Sequence, residues 1–305
     1  MAIHHFKVAV DDRDQRLDIY LTEHFSKAPS RSFIKKLIDH GHVRVNEVIA
    51  KAHHKVAPGE DVIVEVPEDF LTPQYIQPEN IPLDIFYEDQ HLLVINKPSG
   101  MLVHPAQNIY KGTLVNALLH YANHLSDVND SMRPGIVHRL DQETSGLILV
   151  AKDNITHTRL AKQFKRHEVR KQYVALVEGE VEFDEGTVDV PIGRDTKHRE
   201  KKTVAFDKSA KEAFTRYKVL QRHNDVTLVA LFPKTGRTHQ LRVHMRYIKH
   251  PILGDSKYGK KNSFSRLALH AKSIGFKHPM TKEYVEFSSK VPDEFLTKVY
   301  GKENR

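Results

Sequence analysis

Helix-forming and strand-forming stretches occur on both sides of a proline-rich stretch in this 305-residue chain, and it is read as an α+β fold in two domains. Three observations carry that reading. The length exceeds the ~100–200 residues of one typical domain. Apolar residues recur at helical spacing in some segments, and alternate or run uninterrupted over strand lengths in others. Finally, "PEDFLTPQYIQPENIP", residues 67–82, holds Pro67, Pro73, Pro78 and Pro82, which remove backbone donors and block both helix and central strand. It reads as a linker between a small unit over 1–66 and a larger body over 83–300.

In the small unit, "QRLDIYLTEHF" places Leu17, Leu21 and Phe25 on one helical face. "SRSFIKKLIDHG" predicts a second helix with Ser30 as N-cap, an apolar face of Phe33, Ile34, Leu37 and Ile38, and Gly41 as its stop. Arg31, Lys35 and Lys36 fall away from that face. "VRVN" and "DVIVEVP" alternate as short strands, the second with Val62, Val64 and Val66 to one side. Such a unit, displaying Arg31, Lys35, Lys36 and Arg44, can grip a folded nucleic acid by its backbone; the plainer reading is a small interaction domain with a basic face.

In the body, "HLLVINKP" and "LILVAK" predict buried strands, and "GTLVNALLHYA" a helix capped by Thr113. "NITHTRLAKQFKRHE" predicts a basic amphipathic helix burying Ile155, Leu160 and Phe164. The strands "KQYVALVEG" and "VTLVALF" follow. The second leads into "PKTGRTHQLRVHMRYI", a turn and then a helix with Leu241, Met245 and Ile248 inward. Residues 194–211, rich in charge and poor in apolar groups, predict an exposed loop or hairpin.

Composition narrows the chemistry. No apolar run approaches the ~20 residues needed to cross a bilayer, so a cytoplasmic protein without a membrane partner is expected. With no cysteine in the chain, disulfides, thiolate metal sites and cysteine nucleophiles are excluded. The formal net charge is +8, and the excess is clustered. Residues 27–55 carry seven Lys or Arg against two acids, 152–172 seven against two, and 234–249 five against none. Each cluster alone is compatible with a solvated helix face; together they favour a long phosphate-bearing ligand, whose charge lies along a track.

"RPGIVHRLDQETSGLILVAKD", residues 133–153, sets Asp141 directly behind His138 and Arg139 and ahead of a buried run. An acid on such a turn is ordinarily a turn-former. If Arg237, from the equally tight "KTGRTHQ", folds against it, the pair would keep Asp141 ionised as a nucleophile.

"GIVHRLDQETSGLILVAK" closely resembles the signature loop of the RluA/RluD-type pseudouridine synthases, and "VINKPSGMLVHP", "KQYVALVEG", "KTGRTHQLRVHM" and "RLALHA" resemble that family's other blocks in order. The first unit resembles the S-four type RNA-binding domain that often precedes such synthases. The resemblance implies a mixed, largely antiparallel sheet in the body and isomerisation of uridine to pseudouridine in structured RNA. It implies Asp141 as the catalytic aspartate, Tyr173 as the ring that packs on the uracil and helps remove its C5 proton, and Arg237 as the partner of the aspartate. It further implies Arg139 as the group entering the RNA where the uridine has left the stack, and Leu269 as an apolar floor. The reaction breaks the bond from ribose to N1, turns the uracil and rejoins it through C5, with no redox step and no energy source, so no cofactor and no metal are expected. The carboxylate would either attack the sugar carbon or promote elimination. RNA is the expected partner, large-subunit ribosomal RNA first and transfer RNA second, and a monomer is expected.

Three rivals stand beside this reading. An aspartyl phosphotransferase would have a second aspartate where Glu143 stands. A metal site could use His53 and His54, or His239 and His244, but neither pair has the spacing of zinc hydrolases. A non-catalytic RNA-binding or ribosome-assembly protein would have little use for Asp141, Tyr173 and Arg237 together.

Overall fold

The computed structural model describes residues 2–25, 31–67, 76–106, 109–122, 124–128, 133–198 and 200–301, without the side chains of Ser32 and Lys261. The chain divides into two units, Met1–Tyr75 and Ile76–Arg305. Of the proline-rich stretch, 68–75 lie outside the described residues, as does Ser30, the expected cap. Beyond that gap the backbone is tied to the larger unit, where Gln77 O accepts from Asn116 Nδ2 at 2.8 Å and Glu79 N donates to Asn116 O at 2.9 Å.

In the first unit, β1 (Ala2–Lys7), β2 (Val43–Val45), β3 (Val48–Ile49) and β4 (Asp61–Val66) form an antiparallel sheet in the order β1-β4-β2-β3. The helices α1 (Leu17–His24) and α2 (Arg31–Asp39) complete it. Leu17, Leu21, Phe25, Ile34, Leu37 and Ile38 bury against Val62, Val64 and Val66, one core made from the apolar stripes of both helices and one face of the sheet. Gly41, at φ +79°, turns the chain out of α2, with His42 N donating to Leu37 O at 2.9 Å.

The larger unit is built on nine strands: β5 (Ile85–Glu88), β6 (Leu92–Lys97), β7 (Ser145–Ala151), β8 (Arg170–Glu178), β9 (Glu185–Asp189), β12 (Phe214–His223), β13 (Val226–Pro233), β14 (Leu269–Lys277) and β15 (Tyr284–Ser288). A separate hairpin, β10 (Ile192–Arg194) with β11 (Lys202–Val204), occupies part of the segment expected to be exposed. The sheet runs β5-β6-β7-β14-β8-β13-β12-β9, with β15 also on β14. Its described pairs are antiparallel except β7 with β14, so the sheet is mixed and largely antiparallel, as expected.

The uninterrupted apolar runs of β6 and β7 follow from cover on both faces. Leu93, Ile95, Ile148 and Val150 join the core containing α3 (Leu114–Tyr121), whereas Leu92, Val94, Leu147 and Leu149 join the core containing α4 (Asn154–Lys165). Thr113 caps α3 in a capping box with Asn116. Of the three apolar residues expected to be buried in α4, Leu160 is buried and Phe164 packs partly buried on the same core, but Ile155 is 57% exposed, and Thr156 and His157 are buried in its stead. Asp153 caps the helix through Thr156 N at 2.8 Å, and the His157 ring bonds Ser126 Oγ at 2.8 Å, which turns Ile155 outward. The last helices, α5 (Gln240–Tyr247) and α6 (Asp293–Tyr300), place Leu241, Met245, Phe295 and Val299 in the core built on β8 and β13. Ile248 packs, partly buried, against the same core.

Gly146 shows why glycine follows "QETS". At φ +110° it lies against β14, and a Cβ there would collide with the Ala271 carbonyl and lie 2.6 Å from Ala271 N. The chain leaving the Asp141 loop can therefore enter the sheet at once.

Candidate active site

Two loops carry the carboxylate. Residues 141–144 lead into β7 and residues 98–101 leave the neighbouring β6. Gly100 N donates to Gln142 O at 2.9 Å, Gln142 Nε2 donates back to Gly100 O at 3.0 Å, and Ser99 Oγ donates to Glu143 O at 2.6 Å. Lys97, at 0% exposure, ends β6 underneath them. Its ammonium donates to Pro98 O at 2.8 Å, Met101 O at 2.9 Å and Gln142 O at 3.1 Å. Burial pushes this lysine down to about 7, against the nearby Asp141 charge, which favours the ammonium. His138 accepts a hydrogen bond from Leu149 N at 2.9 Å and stacks on Phe164; burial, helped by the Lys171 charge, lowers it to about 3, so the ring is neutral and fixes the loop to β7 and α4.

The cation facing Asp141 is Arg242, not Arg237. Arg242 Nη1 lies 3.5 Å from Asp141 Oδ2 and Nη2 3.3 Å from Glu143 Oε2. Its orientation comes from Asp255, fully buried, which receives Nε and Nη2 at 2.7 Å each. Asp255 also accepts from Lys257 N at 2.9 Å and Tyr258 N at 3.0 Å. Burial opposes both charges, yet their mutual hydrogen bonds and attraction outweigh it, holding Arg242 above and Asp255 below the usual ranges. Arg237 instead sends Nε to Glu212 O at 3.0 Å. The local backbone explains the exchange. Gln240 Oε1 takes Arg237 N at 3.0 Å and Thr235 Oγ1 at 2.7 Å, pinning the turn, and His239 is left-handed at φ 59°. The helix then starts so that Arg242 shares a buried side with Met245, three residues on.

One cavity of about 100 Å³ gathers Arg139, Asp141, Tyr173, Arg237, Arg242 and Leu269, together with Lys171 and His239. Tyr173 reaches it from β8 and packs against the cores on both sides. Burial first, and then the Asp141 charge, hold its phenol above the ordinary value, so the ring is neutral. Leu269, 3% exposed at the start of β14, lines the cavity, whereas Leu147–Val150 are core. Arg139 is exposed, with no ion pair among the described residues. His239 bonds Tyr258 Oη at 2.7 Å and burial lowers it to about 4; Tyr258 is pushed up to about 12, again by burial.

Among the described residues no group of three or more His, Cys, Asp or Glu could hold a metal ion. His239 is engaged by Tyr258, and His244 by Thr215 Oγ1 at 3.0 Å and Val190 O at 3.1 Å. Among the described residues no helix is long and apolar enough to cross a membrane.

In the first unit Lys35 and Lys36 stand on the exposed side of α2, as expected. Arg31 is partly committed, since its Nη2 lies 2.8 Å from the buried Asp18, which Arg16 also holds at 2.9 Å. Arg44 lies 3.5 Å from Glu65.

The RNA pseudouridylate synthase family matches residues 91–247, and the S4 domain matches residues 15–62. The chain is 45% identical over 286 residues to an uncharacterised RNA pseudouridine synthase of Bacillus subtilis, covering 93% of each. It is 40% identical to the ribosomal large subunit pseudouridine synthase D of Zymomonas mobilis, covering 87% of each. The solved structure of human RNA pseudouridylate synthase domain containing 1 is similar at 28% identity and a TM-score of 0.59, over 72% of this chain and 87% of that one.

Proposed function

Because the chain belongs to the RNA pseudouridylate synthase family and is an RNA pseudouridine synthase with an S4 domain, we propose that Asp141 is its catalytic carboxylate and large-subunit ribosomal RNA its substrate. One observation carries the assignment: Asp141 lies beside the buried, fixed guanidinium of Arg242, in a cavity walled by Tyr173 and Leu269. A fixed cation beside the carboxylate keeps it aimed without reorganisation during reaction. Asp141 acts on the ribose of an extruded uridine. The C1′–N1 bond breaks, the uracil turns on the Tyr173 ring, C1′ bonds to C5, and the proton lost from C5 is balanced by one gained at N1. A neutral Tyr173 phenol suits packing on the uracil, and could take the C5 proton only by passing on its own. Leu269 closes the cavity floor, which keeps the detached base in place. Arg139, exposed at the rim, enters the space the uridine leaves and offsets part of its unstacking cost.

Resemblance to a ribosomal large subunit synthase supports the substrate. Pseudouridine maps of ribosomal and transfer RNA from cells with and without the protein test it. Loss of at least one large-subunit position, restored by the wild-type chain, is the expected result; loss confined to transfer RNA would move the substrate, and loss from no RNA would reject the reading.

Lys35, Lys36 and Arg44 of the first unit, with Arg31 behind them, hold the RNA backbone in this reading. Replacing Lys35, Lys36 and Arg44 by alanine should lower the slope of log K against log salt by about 2, since each phosphate contact contributes ~0.7–0.9. An unchanged slope in filter-binding titrations would remove this face from the RNA track.

A further inference from the structure

Lys171 takes no part in the chemistry above, yet it stands in the same cavity. It is two residues from Tyr173 on β8, so both side chains leave the strand on one face. Among the described residues its ammonium reaches one acceptor, Thr235 O at 3.5 Å, the far limit of a hydrogen bond. No carboxylate lies within ion-pair distance of it among the described residues. Asp141, in the same cavity, is already taken by Arg242. The ammonium lies over the bare Gly236, 3.9 Å from where a Cβ would stand, so no side chain separates it from the turn that carries Arg237. Arg237 uses Nε on Glu212 O. Lys171 is half-buried, and this desolvation lowers it to about 8.

A half-buried cation without an anion carries part of the desolvation cost of a buried charge in the free protein. Here it borders a glycine turn and a second cation. We propose that Lys171 and Arg237 together bind the backbone phosphate next to the extruded uridine, fixing the nucleotide's depth in the cavity while Asp141 acts on its ribose. A phosphodiester fits better than a uracil carbonyl: it offers two non-bridging oxygens and a full negative charge to two cations, and the uncovered glycine lets the backbone come close. The inference rests on the RNA reading given above.

The test uses a stem-loop RNA spanning the mapped uridine, made with a neutral methylphosphonate at either its 5′ or its 3′ phosphate. Wild-type protein should bind one of these RNAs about tenfold more weakly than the all-phosphate RNA. Lys171→Met should bind the all-phosphate RNA about tenfold more weakly and lose nothing further at that same position, while Lys171→Arg restores the wild-type pattern. KM should rise with kcat little changed, and the Tm of Lys171→Met should not fall, because a half-buried charge with no carboxylate partner has been replaced by an apolar chain. A full, additive penalty in Lys171→Met at both positions overturns the proposal, as does a lowered Tm with unaltered affinity, which would make Lys171 a prop for the Thr235 turn. Wild-type protein that shows the methylphosphonate pattern but forms no pseudouridine would defeat the Asp141 reading and leave the phosphate contact standing.

Discussion

Asp141→Asn should remove turnover and leave the fold and RNA binding in place. The amide is the same size as the carboxylate and sits on a loop held by bonds that do not use its side chain: Lys97 to Gln142 O, Gly100 to Gln142 O, and Ser99 to Glu143 O. Arg242 keeps its two short bonds to Asp255, so no buried charge is left alone. What goes is the carboxylate able to meet the ribose carbon or its neighbouring proton, the only one lining the cavity among the described residues. A fall in rate of at least ~10⁴-fold is expected, the scale seen when a nucleophile is removed from an otherwise intact site. Tritium release from RNA carrying C5-labelled uridine reads the rate, and filter binding reads affinity, which should stay within about threefold because the positive RNA track is untouched. Release by the variant within tenfold of wild type would strip Asp141 of its role. The experiment also separates the enzyme from a protein that only binds RNA, since such a protein would show no tritium release in either form.

The parts of this site that the sequence declares are those lying within single contiguous blocks. Asp141 and Tyr173 are legible through the resemblance of their blocks, "HRLD" and "KQYVALV"; by pattern alone Asp141 is a turn residue before a seven-residue buried strand, and Tyr173 one position of a strand whose cavity-facing residues alternate from Lys171. The larger sheet is legible as strands but not as an order. That β7 and β14 run side by side in parallel, with Gly146 pressed on Ala271, depends on contacts between segments more than a hundred residues apart. Arg242 marks the sharper limit. "GRTHQLR" offers two arginines, and the tight turn favours Arg237. The deciding event is a left-handed residue, His239, which sets where α5 begins and which arginine shares a side with Met245. The helical spacing of Arg242 and Met245 was a usable signal, but its partner Asp255 lies on a loop with no pattern of its own. Lys97 was hidden differently, as a charged residue closing an apolar run whose burial depends on three carbonyls from two loops. Ile155 shows propensity yielding to context: the Asp153 cap and the Ser126–His157 bond fix the rotation of α4 more strongly than one apolar side chain can.

The pair Arg242 and Asp255 should separate stability from catalysis. Arg242→Met leaves Asp255, at 0% exposure, with two backbone donors and no counter-charge, and removing one partner of a buried pair costs about 3–5 kcal/mol. For a unit of this size that corresponds to a Tm lower by roughly 10 °C. The penalty has a predictable pH dependence. In the wild-type chain Asp255 is held below its ordinary value, so its contribution to stability is complete above about pH 4 and is lost only as pH falls through that depressed value. Without Arg242 the sign reverses, because burial alone raises the folded-state value above the unfolded one, and protonation then favours the folded form. The stability gap between wild type and Arg242→Met should therefore narrow as pH falls from neutrality toward the ordinary carboxylate range, and thermal unfolding across that range reads it. Changing both residues, Arg242→Met with Asp255→Leu, should recover most of the stability, since a buried ion pair replaced by apolar groups is often neutral. Activity should not return, because Asp141 still lacks the cation that fixes it. Arg237→Ala is the contrasting variant: its guanidinium is partly exposed and has no carboxylate within ion-pair distance among the described residues, so Tm should move little while RNA affinity falls. Recovery of turnover in the double variant would show that Arg242 acts only through the fold, and equal loss of stability in Arg237→Ala would return Arg237 to the place the sequence suggested for it.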